Sequence, residues 1–137
     1  MTLDKTMLET NIKDARIDSY IQAIMRLTGE NPDVIFNEML KYTEEFKCDT
    51  LDKKVILKIT SSRGLSHLWT FPIRSNRKGC WFLFKYNRGP LLLAAKDGAF
   101  AVDHRTMYSG NQEISESNDV DCLYCICSRR CISTVAW

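Results

Sequence analysis

Not one aspartate or glutamate occurs across the 44 positions from Lys53 to Lys96, although the chain holds 17 acidic residues in 137. Spread evenly, about five of them would fall there. Other absences exclude whole classes of protein. No charged start leads into an apolar stretch of roughly 7–15 residues, the pattern of a secretory signal. No uninterrupted apolar run comes near the roughly 18 residues of a membrane span. The expectation is therefore a cytoplasmic protein with reduced thiols and no membrane partner. There are only 2 histidines, and no Gly-rich phosphate loop, HExxH or nucleophile elbow. Repeats, low-complexity tracts and linker-like shifts of composition are missing too, so 1–137 reads as a single domain, of a size that buries a core without metals or crosslinks.

What fills the acid-free stretch is charge of the other sign: ten Lys and Arg residues, interleaved with Trp69, Phe71, Trp81, Phe82, Phe84 and Tyr86. The formal net charge of +2 thus hides a segregated field, with −5 over residues 1–52, +10 over 53–96 and −3 over 97–137. A local positive surface attracts phosphate or an acidic partner whatever the net charge.

Periodicity predicts the elements. Ile17, Tyr20, Ile21, Ile24 and Leu27 are spaced as one face of a helix, which Gly29 stops. Asn31 and Pro32 have the chemistry of a helix start, and Ile35, Met39, Tyr42 and Phe46 form a second stripe, with Glu38, Lys41, Glu44 and Glu45 opposite. From Lys53 the period looks like two, with Val55, Leu57 and Ile59 on one side, which predicts a strand. A turn at 61–64 leads to a strand over His67–Ile73, in which Pro72 marks an edge or the end of pairing. A basic loop over Arg74–Gly79 follows, then strands over Cys80–Tyr86, Leu91–Ala95 and Ala99–Asp103, the last two joined by a hairpin at Asp97-Gly98. Residues 104–118 read as a loop. The cysteine-rich apolar run from Val120 to Trp137 reads as a helix on its length, or as a last central strand. The expected fold class is α+β: an N-terminal helical hairpin packed on an about five-stranded antiparallel meander, closed by that C-terminal helix or strand.

Three sets of residues are candidates for function. Sheet-based nucleic-acid binders need cations to displace counterions from phosphate and flat rings for unstacked bases. Arg63, Arg74, Arg77, Lys78, Lys85 and Arg88, with Trp69 and Trp81, supply both; the loop residues Arg74, Arg77 and Lys78 are the expected phosphate contacts. The plain reading is that the rings are core and the cations a solvated face, but it leaves the missing acids unexplained. The second set is Cys122, Cys125, Cys127 and Cys131, with Cys48, Cys80, His67 and His104 as further ligands. The 122/125 spacing suits half a zinc knuckle, yet the flanking Leu123, Tyr124 and Ile126 describe small buried hydrophobes, and no metal or cofactor is assigned. The third is Asp103-His104 with Ser109 or a cysteine, a nucleophile and base set whose geometry no motif fixes; no catalytic residue is assigned.

Two short likenesses accompany these residues. Lys78 to Lys85 resembles in part the octamer of the RNA-recognition-motif family, matched by Lys78, Gly79, Phe82 and Leu83 and departed from at Cys80, Trp81 and Lys85. That family alternates strands and helices, whereas here helices precede strands. Trp81, Phe84, Asn87, Gly89 and Ser115 follow the order of plasmid antirestriction proteins, a resemblance that implies a small inhibitor from a mobile element; the glycine pair before the Trp is reduced to Gly79. The leading expectation is a non-enzymatic binding protein whose partner is nucleic acid or another polyanion, including an acidic protein surface. The alternative is a non-catalytic protein-interaction or inhibitor module whose helices or dimeric sheet edge bind another protein, with a homodimer as one form.

Overall fold

The computed structural model describes residues 15–78, 90–95, 98–103, 106–110, 112–114 and 119–127. It is an α+β arrangement in which three helices precede the strands. Helix α1 spans Ala15–Thr28, and it buries Tyr20, Ile21, Ala23 and Ile24, four positions within one stripe. Gly29 ends it with φ 75°, a conformation in which a Cβ is strained, and its N–H donates to the Met25 carbonyl at 2.8 Å. Helix α2, Pro32–Phe46, starts as expected: the Asn31 side chain accepts from the Asp33 N–H at 2.8 Å and Pro32 occupies the first turn. It buries Ile35, Phe36 and Met39.

Helix α3, Lys53–Ser61, replaces the strand expected from Lys53 onward. Val55, Leu57 and Ile59 do alternate, but Val55, Ile56, Ile59 and Thr60 share one helical face, and these four are the buried ones. The Asp52 carboxylate accepts from the Lys54 N–H at 2.9 Å and so starts the helix. Thr60, the one buried polar residue of that face, donates to the Ile56 carbonyl at 2.8 Å. The helical hairpin is thus a three-helix layer.

The described strands are β1 (His67–Lys78), β2 (Leu91–Ala95), β3 (Gly98–Asp103), β4 (Thr106–Ser109), β5 (Gln112–Glu113) and β6 (Asp119–Cys127), ordered β1-β6-β2-β3-β4-β5 in one sheet with every described pairing antiparallel. Only β2 to β5 run as a meander, because the last strand inserts between β1 and β2. β6 answers the open choice at the cysteine-rich run: its described part is a strand, where a helix was the first expectation. A central strand is covered on two faces, so its apolar run shows no alternation. The basic loop over Arg74–Gly79 is corrected as well, since β1 continues to Lys78. So is the loop over 104–118, which contains β4 and β5. Those two strands have four and two residues and are mostly half-buried or exposed, too short and polar to carry a period. The expected strand over Cys80–Tyr86 lies outside the described residues. The β2–β3 hairpin forms with Ala95 paired to Gly98, one residue earlier than the Asp97-Gly98 turn.

The helices cover one face of the sheet. Leu92, Ala94, Ala99, Ala101, Tyr124 and Ile126 from the sheet join Ile21, Ile24, Phe36, Met39, Ile56 and Ile59 in a single core. Small residues on β3 let α1 come close. A Cβ added at Gly98 would lie 2.5 Å from the Ser19 hydroxyl, and that hydroxyl accepts from the Ala99 N–H at 2.9 Å while donating to the Arg16 carbonyl at 2.7 Å. Leu91, Leu93, Val102, Met107, Cys125 and Cys127 alternate with the helix-facing residues and are buried too, so the middle of the sheet is interior on both faces.

Candidate polyanion interface

Strand β1, HLWTFPIRSNRK, is the outermost described strand at its end of the sheet, and none of its twelve residues is acidic. Pro72 lies where its missing N–H does no harm: the ladder to β6 breaks between Thr70 and Ser75. The ladder resumes on the far side of the break. Trp69 pairs with Cys125, and Ser75 with Cys122, which also pairs with Ala95. Arg77 is opposite Val120. Asn76 and Lys78 are opposite Asp121 and Asp119. Arg74 falls in the irregular stretch.

The structure therefore gathers Arg74, Arg77 and Lys78 within five residues of one strand, with Trp69 further along it. It does not gather Arg63 with them. The Arg63 side chain is only 13% exposed, and its Nη2 is held by Glu30 Oε2 at 3.3 Å and by Glu38 Oε2. Its Nη1 donates to the Ile59 carbonyl at 2.8 Å and to the Ser62 hydroxyl at 3.1 Å. A guanidinium with these four acceptors ties the end of α3 to α2 and to the turn before it, so Arg63, an expected anion contact, is engaged as an internal clasp. The carboxylates that claim it come from 33 and 25 residues earlier, a distance at which sequence gives no signal of pairing. Trp81, Lys85 and Arg88 lie outside the described residues.

The rest of the basic segment divides as well. Lys53, Lys54 and Lys58 stand on α3, not on a sheet, and Lys53 Nζ is 5.4 Å from the centre of the Tyr124 ring. On α1 the Arg26 guanidinium stacks 3.7 Å over Tyr108 of β4. A cleft of about 340 Å³ opens on the helical side between Arg16, Ile17, Asp49, Thr50, Leu51 and Asp52. Both signs of charge line it, and Asp52 already caps α3.

The cysteines behave as the bland expectation described where they are seen. Cys125 and Cys127 are wholly buried in β6, among Leu91, Leu93 and Val102 on the same face. Among the described residues no three His, Cys, Asp or Glu side chains are grouped as metal ligands would be. Partial burial, then the Asp52 and Asp49 carboxylates, push the Cys48 thiol up against the lowering pull of Lys54, so it is a poor nucleophile. Asp103 ends β3 and Ser109 ends β4, while His104 lies outside the described residues. No described helix is long and apolar enough to cross a membrane.

The class defined by these elements is an α+β protein with a helical layer on one face of an antiparallel sheet. No family model matches the chain, and comparison with curated proteins and with solved structures finds no match either.

Proposed function

We propose that the protein is a non-catalytic binding module that contacts nucleic acid or another polyanion along strand β1. The observation that carries this reading is the composition of that strand: three cations in five residues, no acid in twelve, at the end of the described sheet. Phosphate contacts of this kind supply affinity through counterion release and make it fall steeply with salt. The test is retention on immobilised heparin at low ionic strength. The wild-type protein is expected to bind and to elute with added salt, and R74A/R77A/K78A is expected to flow through with an unchanged melting temperature. Wild-type flow-through at low salt would end the reading.

A second reading has its own observation. A twelve-residue outermost strand also suits the addition of a strand from another protein, as in an interaction or inhibitor module or a homodimer. It predicts a stable complex or dimer on gel filtration that salt leaves intact.

A further inference from the structure

We propose that Arg26, laid flat on the Tyr108 ring, is a binding site for a small oxyanion, a carboxylate or phosphate group that pairs with the open edge of the guanidinium. The site goes beyond the reading of β1 and is separate from it. In the strand order β1-β6-β2-β3-β4-β5, the strand that carries Tyr108 stands four places from β1, roughly 19 Å away at about 4.8 Å per strand.

Two partly buried arginines, treated differently by the fold, point to this site. Arg63 spends its guanidinium on two carboxylates, a carbonyl and a hydroxyl. Arg26 stands in the last turn of α1 with its guanidinium carbon 3.7 Å from the centre of the Tyr108 ring, and among the described residues no acceptor meets any of its N–H groups. A helix C-terminus favours a nearby cation, but here it takes none of those donors. Burying part of a guanidinium without acceptors is costly, and an arginine has five N–H groups to satisfy. The Nε is enclosed and unpartnered, as is Gln22 Oε1 one turn earlier on α1, whereas Nη1 and Nη2 are not among the enclosed atoms. The ring thus fixes the plane of the guanidinium and leaves its Nη edge open, the geometry that takes an oxyanion through two parallel N–H···O bonds. A group already held in place loses less freedom when a ligand arrives. Tyr108 is itself half-buried, paired with Ala101 of β3 on one side and with Glu113 of β5 on the other, and both residues of β5 are exposed. Glu113 is therefore the carboxylate closest in register to the ring. It makes no ion pair with Arg26, since the ion pairs of the described residues belong to Arg63, and it opposes a bound anion.

The test is an NMR titration of the full chain that follows the Arg26 Nε–Hε signal, assigned by its absence in R26K, and the Tyr108 backbone amide. Acetate, inorganic phosphate and chloride are compared at equal ionic strength. A saturable shift with acetate or phosphate is expected, with a dissociation constant on the order of millimolar as suits a single guanidinium, and none with chloride. The tighter of the two oxyanions names the group that the site prefers. R26K keeps the charge but loses the fork, so the Tyr108 amide should report binding at least about fivefold weaker. E113Q removes the opposing carboxylate and should bind about twofold tighter. R74A/R77A/K78A is expected to titrate as the wild type does, which separates this site from β1. Shifts that do not saturate, that chloride reproduces, or that R26K leaves unchanged overturn the proposal and reduce Arg26 to packing on Tyr108. Loss of the response in R74A/R77A/K78A overturns it as well and returns the anion to β1, whereas loss of heparin retention alone leaves it standing.

Discussion

Arginine stands in different settings in the helical layer and in the outer strand. In the layer, Arg63 is enclosed by Glu30, Glu38, a carbonyl and a hydroxyl, and its charge is consumed in holding helices together. Along β1, Arg74, Arg77 and Lys78 sit in a segment with no carboxylate of its own. The +10 of the acid-free segment is therefore not one surface. Part of it is structural, part is on α3, and the part we propose for binding is a short run of β1.

Breaking this contrast from the structural side gives the largest effect. Arg63→Ala strips two partly buried carboxylates of their partner, and loss of one member of a buried pair costs about 3 kcal/mol or more. Because Glu30 and Glu38 keep 34% and 27% exposure, about 2–3 kcal/mol is expected here, read as a lower urea midpoint. Heparin retention of the folded variant should be unchanged, and a loss of it would assign Arg63 to the binding surface after all. Next comes Gly98→Ala, which forces a Cβ into the Ser19 hydroxyl at a backbone angle of φ 152°; about 2 kcal/mol is expected in thermal or urea unfolding. Near-neutral stability there would show that α1 does not press on β3. Asp52→Ala removes the α3 cap and should cost about 1 kcal/mol. No change would return the segment from Lys53 to the strand that its alternation suggests.

The smallest effect sharpens the chemistry. With its thiol pushed up by burial and by Asp52 and Asp49, Cys48 should be alkylated more slowly in the folded than in the unfolded protein at pH 8, as peptide mapping would show. Since its folded value lies above the unfolded one, whatever stability it lends is present below the unfolded value and is lost as pH rises through the folded one. Faster alkylation in the folded state would contradict the assigned environment.

Much of this fold was legible in the sequence, and its misreadings have physical causes. The stripes at Ile17–Leu27 and Ile35–Phe46, with Asn31-Pro32 between them, are local signals, and the helices form where those signals stand. At Lys53 the same residues satisfy periods of two and of 3.6, and the deciding group was Asp52, whose role as a cap is invisible while it counts only as one more acid. β6 was ambiguous because a strand buried on both faces carries no alternation. The candidate site was legible as a composition, an acid-free basic segment. Its division was not, since that depends on contacts between residues far apart in sequence, Arg63 with Glu30 and Glu38.

The most direct test removes two positive charges from each region and compares the salt at which each variant leaves heparin. K54A/K58A takes two exposed cations from α3, and R74A/R77A removes two arginines of β1. Elution of R74A/R77A at much lower salt than K54A/K58A, the latter staying near wild type, is the predicted result. Equal shifts for the two pairs would show that binding follows net charge alone and would contradict the assignment to β1.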